Sequence, residues 1–73
     1  MSNFTYEIKE SYGVISESET GWTKEFNKIS WNNSNPKYDI RDWAPDGKKM
    51  GKGVTFSKEE MLKLKELIQG IEI

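Results

Sequence analysis

A chain of 73 residues with neither Cys nor His has no disulfide framework, no thiolate zinc site and none of the commonest general base, so stapled, thiolate-metal and His-dependent catalytic designs are excluded at the outset. A domain this short buries only about 60% of its unfolded surface. Below roughly 70–80 residues a staple, a metal or a second chain is usually needed, and self-association is the support left open here. The net charge of −1 conceals a split: residues 1–23 carry one Lys against four Glu, residues 24–52 seven basic against four acidic groups, and residues 53–73 three Lys against four Glu, so the middle third is net +3.

The N-terminus is polar from Ser2 and Asn3, with no signal-peptide pattern. No apolar run approaches the ~20 residues of a membrane span. A single domain over residues 1–73, soluble and cytoplasmic, is expected.

From Phe4 to Ser16 the chain alternates. Phe4, Tyr6, Ile8, Tyr12 and Val14 share one parity; Thr5, Glu7, Lys9, Ser11 and Glu17 share the other, which predicts a long half-buried strand. Glu10 breaks the apolar parity, and Gly13 marks a bulge or bend. Glu17-Ser18-Glu19-Thr20-Gly21 is a turn. Trp22 to Trp31 is the second strand, with Trp22, Lys24, Phe26 and Lys28 on one face and Ile29 and Trp31 offered to a core on the other. Asn32-Asn33-Ser34-Asn35-Pro36 is a loop.

Lys37 to Trp43 is the third strand. Tyr38 and Ile40 point one way; Lys37, Asp39, Arg41 and Trp43 point the other, and Arg41 and Trp43 rise ~6.6 Å apart from one surface. Pro45 ends the strand, and Asp46-Gly47 is a turn signal. Lys48, Lys49 and Lys52 lie in a basic loop in which Gly51 and Gly53 let the backbone bend or approach a ligand. Val54-Thr55-Phe56 reads as a short buried strand end.

Ser57 is a helix N-cap, and Glu60 completes a capping box. Glu59 and Lys63 form an i,i+4 pair. Met61, Leu64, Leu67 and Ile68 make the apolar stripe, and Gly70 is placed as the C′ residue. Leu62, off that stripe, and the apolar tail Ile71-Glu72-Ile73 suggest a second contact surface and hence a dimer. The order predicts an α+β fold: a four-stranded antiparallel curved sheet followed by one C-terminal helix (ββββα). One helix covers one sheet face, so the mixed aromatic and basic face is expected to stay open.

Catalysis is hard to build from these residues. Ser57 is used as a cap, and no His or Cys stands ready to activate a hydroxyl. Asp39 and Asp42 point to opposite faces; Asp39 is expected in a surface ion pair with Arg41. Gly51-Lys52-Gly53 is too short for a P-loop. No enzyme activity, metal, cofactor or small-molecule substrate is expected. Single-strand binding, by contrast, needs cations along the phosphates and flat aromatics under the bases. Trp22, Phe26 and Trp43 supply the aromatics; Lys24, Lys28, Arg41, Lys48, Lys49 and Lys52 supply the cations.

The segments "YDIRDWAPDGKK" and "GKGVTFSKEEMLKLKELI" resemble the C-terminal domain of the transcriptional coactivator positive cofactor four, especially its small bacterial YdbC-like members. The resemblance covers roughly residues 24–69. It implies homodimeric, largely sequence-independent single-stranded DNA binding in transcription or DNA maintenance, with helices packed together at the dimer, and a bacterial cytoplasmic, nucleoid-associated setting. It places nucleic-acid contacts on Arg41 and Lys52 and base stacking on Trp43, although the family's aromatic pair meets only Trp43 because Ala44 follows. In the loop before the third strand, Asn32 and Lys37 stand where the family has an aromatic and lysines. Two alternatives use the same open face: a protein-interaction module, and a single-stranded RNA binder.

Overall fold

The structure, a computed structural model, describes residues 4–73; Ser2 and Asn3 lie outside them. Four strands and one helix follow in order: β1 (Tyr6–Glu17), β2 (Thr23–Trp31), β3 (Lys37–Trp43), β4 (Met50–Phe56) and α1 (Lys58–Gln69). The strands form one antiparallel meander, β1-β2-β3-β4. The expected α+β architecture is present, with a longer β4 than the Val54–Phe56 stub read from the sequence. Val54 is more than half exposed rather than buried.

The β1–β2 register slips three times, between Ile8/Glu10, Ser11/Gly13 and Val14/Ser16. Each slip bends the strand, and Gly13, at φ 153°, sits beside one of them. The slips also overturn the single parity expected for this strand. Tyr6 lies against Trp31 and Trp43, with ring centroids at 5.8 and 5.7 Å, whereas Tyr12 lies on the opposite face against Phe26 at 4.8 Å and Tyr38 at 6.1 Å. Burial and the neighbouring Glu10 carboxylate hold the Tyr12 hydroxyl pKa above its ordinary value.

The sheet coils strongly about the face that carries Asn27, Ile29, Asp39, Arg41 and Trp43. Glu25, not Trp31, is the register partner of Arg41, yet the Arg41 guanidinium sits 4.8 Å from the Trp31 ring centroid. The two ends of this concave face therefore meet. Between them Asn27, Ile29 and Asp39 have 0% exposed surface, and Trp43 has 3%. The domain's small core is this self-closed concavity.

Helix α1 packs on the opposite, convex face, where Met61, Leu64 and Ile68 approach Ile15, Phe26, Tyr38 and Ile40. The capping box is formed: Glu60 N–H donates to Ser57 Oγ at 3.1 Å, and Ser57 N–H donates to Glu60 Oε1 at 2.8 Å. At the other end Gly70 is right-handed (φ −86°, ψ −5°), so the expected left-handed glycine cap is not used. The expected Glu59–Lys63 pair is replaced by Lys63–Glu66 at 3.5 Å. No residue of α1 is buried. Leu62, Leu67 and Ile68 remain at least half exposed, and Leu62 and Ile68 line a groove of about 530 Å³ between helix and sheet.

Candidate nucleic-acid interface

The basic residues gather at one end of the sheet, where β2 begins and the β3–β4 hairpin turns. Thr23 is paired with Trp43, and Trp43 with Met50, so the lysines flanking these positions become neighbours. Lys24 and Lys52 line one shallow pocket across β3 with Ile40, Asp42 and Val54. Trp22 and Lys24 line a second with Ser16, Glu17, Ser18 and Asp42. The hairpin is closed by Ala44 N–H to Lys49 O and Gly47 N–H to Ala44 O, both at 2.9 Å, and by Lys48 N–H to Asp46 Oδ1 at 2.9 Å. Lys24, Lys48, Lys49 and Lys52 are all exposed, and Trp22 is half-buried. Glu17, Asp42 and Asp46 are the carboxylates among them, so the positive charge of the four lysines is partly offset.

Other candidates lie elsewhere. Phe26 and Lys28 are on the convex face with Tyr38, beneath the helix side, and Lys28 Nζ sits 5.4 Å from the Tyr38 ring centroid. The face expected to be open is thus the one the helix approaches. The reason is that Phe26, Tyr38 and Ile40 present the apolar surface α1 needs, while the lysines reach outward past it. Asn32 and Lys37 are exposed at the far end of the sheet. Asn32 (φ 49°) and Asn33 (φ 62°) form a primed hairpin turn closed by Ser34 N–H to Trp31 O at 2.8 Å. Asn32 Oδ1 also accepts the Thr5 N–H at 2.8 Å, which commits that oxygen to tethering the start of β1.

Arg41 and Trp43 do share the concave face, as parity requires, but both are engaged. Arg41 Nε and Nη2 donate to the two oxygens of Asp39 at 2.7 and 3.0 Å, and Nη1 donates to Gly51 O at 3.4 Å. Thr55 Oγ1 donates to the same carboxylate at 2.9 Å. The ion pair expected at the surface is buried, with the Asp39 side chain 0% and the Arg41 side chain 15% exposed. Gly53 is a glycine for this pair rather than for a ligand: a β-carbon there would overlap Arg41 Cβ. Trp43 is covered by Tyr6, so in the free chain no base can reach its ring.

The alternation of β2 offers Trp31 to the core. Instead Trp31, half-buried, carries Arg41 on one side and packs with the exposed Phe4 at 5.7 Å and with Tyr6. Phe4, Tyr6, Trp31 and Arg41 form an aromatic–guanidinium cluster at the rim of the concavity. Tyr6 and Trp31 are direct register partners on β1 and β2; it is the arrival of Arg41, whose β2 partner is Glu25, that no pattern in the sequence signals.

The sequence matches the family of the transcriptional coactivator p15 (PC4) over residues 18–67. The chain belongs to the PC4 family. Members are known for single-stranded DNA binding and coactivator roles, which supports a nucleic-acid-binding, non-enzymatic role here. An uncharacterized protein of Treponema pallidum (strain Nichols) is 44% identical over 71 residues, covering 97% of this chain and 84% of that protein. The PC4 match spans β2 through most of α1, so it includes both the lysine-rich end and the Asp39–Arg41 pair. No helix among the described residues is long and apolar enough to cross a membrane.

Proposed function

We propose that the chain is a homodimeric, largely sequence-independent single-stranded DNA-binding protein, acting in transcription or DNA maintenance. The gathering of Lys24, Lys48, Lys49 and Lys52 beside Trp22 at one end of the sheet carries the proposal, because it supplies phosphate contacts and a stacking surface within one short strand length of each other. Arg41 and Trp31 extend the path onto the rim of the concave face. The second copy covers the apolar surface of α1: Leu62, Leu67 and Ile68 are at least half exposed, and a groove runs beneath Leu62 and Ile68. A protomer of this size gains more from burying that surface than it can gain alone.

The test is a titration of tryptophan fluorescence with a single-stranded oligo-dT of about 20 nucleotides and with a duplex of equal length, at two salt concentrations. Quenching and salt-sensitive binding by the single strand, with little response to duplex, is the expected result. Binding to neither nucleic acid would sink the proposal and turn attention to protein partners of the same surface. Equal or tighter binding to single-stranded RNA would change the target but not the mechanism.

A further inference from the structure

We infer that Trp22, Lys24 and Asp42 form a pocket for one unpaired guanine on the convex face of the sheet. The inference rests on the single-strand binding proposed above and adds to it a preferred base at one position, on the face opposite Arg41.

The register places the pocket there. Ser16 pairs with Lys24 and Lys24 with Asp42, so the three stand in one row across β1, β2 and β3. Phe26 and Ile40, the next pair on that face, lie toward the helix, whereas Glu25, Arg41 and Trp43 face the other way. Helix α1 approaches Phe26 and Ile40 but supplies no residue to the cleft of about 410 Å³ beside the row.

The cleft is built between two hairpin ends. Its turn is closed by Ser18 N–H to Trp22 O at 2.7 Å and Gly21 N–H to Ser18 O at 3.0 Å. Gly21, at φ 86°, lets that turn lie against the other hairpin: a β-carbon there would stand 3.0 Å from Pro45 Cγ. Trp22 and Asp42 meet beside Gly51, where a β-carbon would come 3.3 Å from Trp22 Cζ3 and 3.4 Å from Asp42 Cβ. Indole and carboxylate therefore stand side by side.

These groups are not engaged by the fold. Trp31 and Trp43 pack on Tyr6, whereas half-buried Trp22 packs on no aromatic ring among the described residues. Glu17, Lys24 and Asp42 share the cleft, yet among the described residues none of their side chains enters an ion pair or a hydrogen bond.

Two carboxylates beside one lysine weaken a site for phosphate alone. They suit a base. The indole offers a stacking face, and a carboxylate accepts from base N–H groups. Guanine presents two neighbouring donors, N1–H and the N2 amino group, that match the two oxygens of Asp42 in the bidentate manner of a guanidinium. Cytosine and adenine present one amino group. The N3–H of thymine lies between two carbonyl oxygens that the carboxylate repels. Lys24 meets the flanking phosphate. In a duplex the same guanine edge is held by cytosine, so the pocket requires a single strand.

The experiment measures binding of the full chain to labelled oligo-dT of about 20 nucleotides whose central residue is thymine, guanine, cytosine or adenine, by fluorescence anisotropy. The guanine oligonucleotide is expected to bind roughly tenfold more tightly than the all-thymine one. Asp42→Asn is expected to erase that difference while retaining binding to oligo-dT. Equal affinity of the wild type for all four overturns the inference and leaves the proposed function standing. A guanine preference that survives in Asp42→Asn overturns it as well, because another part of the chain then reads the base. Should Asp42→Asn fail to fold, Trp22→Leu takes its place, with loss of the preference expected and its survival overturning the inference. Failure of the wild type to bind any of the four overturns both proposals together.

Discussion

Trp43 shows how a single residue can be placed on the correct face and still be assigned the wrong surroundings. Parity put it beside Arg41, but the coil of the sheet brings Tyr6 over it and leaves it 3% exposed. Trp43→Ala is accordingly expected to cost about 3–5 kcal/mol of stability. That is a large share of the roughly 4–11 kcal/mol available to a chain of this length, and urea unfolding measures it directly. Gly53→Ala is expected to destabilise by about 2 kcal/mol or more, because the added carbon meets Arg41 Cβ and the strand, not a flexible side-chain end, must give way. A fully folded Gly53→Ala with an unchanged urea midpoint would contradict the packing around the Asp39–Arg41 pair. Lys24 and Lys52 belong to the opposite category. Both are exposed, so Lys24→Ala and Lys52→Ala should leave the melting temperature nearly unchanged while reducing the slope of log affinity against log salt by roughly 0.7 per lost phosphate contact. An unaltered slope would remove that lysine from the DNA path.

At the scale of elements, the helix start was the most legible feature. Ser57 and Glu60 satisfy each other's backbone donors within four residues, so no distant contact is needed to specify them. Ser57→Ala is expected to cost about 1 kcal/mol, seen as a lower urea midpoint; an unchanged midpoint would show that tertiary packing alone holds the helix start. The hairpins were legible for the same reason. Asn32 and Asn33 tolerate the positive φ that a primed turn demands. Strand β1 was only half legible. Gly13 announced a bend, but the slip between Ile8 and Glu10 has no glycine or proline to mark it, and it is this slip that sends Tyr6 and Tyr12 to different faces.

At the scale of the whole molecule, the two faces of the sheet have exchanged the roles expected of them. The concave face closes on itself and supplies the core, while the convex face carries an under-covered helix. Leu62, Ile68 and the groove beneath them are where a second protomer would be buried. Ile68→Glu is therefore expected to convert a dimer into monomers in sedimentation equilibrium and to lower the melting temperature as the subunit contact is lost. A wild type that sediments as a monomer at all concentrations would end the dimer proposal. Coupled loss of single-strand affinity in the same variant would indicate that both protomers contribute to one binding path.

The sequence by itself determined what depends on neighbours along the chain: the order ββββα, the strand parities of β2 and β3, the capped helix, and the concentration of positive charge between Lys24 and Lys52. Those features follow from side-chain alternation, turn chemistry and capping, each contained in a few residues. Only the tertiary structure decided which face the helix covers, how far the sheet coils, that Asp39 and Arg41 form a buried pair rather than a surface one, and that Phe4, Tyr6 and Trp31 join Arg41 in one cluster. Period-two alternation states which residues share a face but is silent on which face turns inward. That choice is made by the accumulated twist and bulges of four strands, which bring together residues that no local pattern connects.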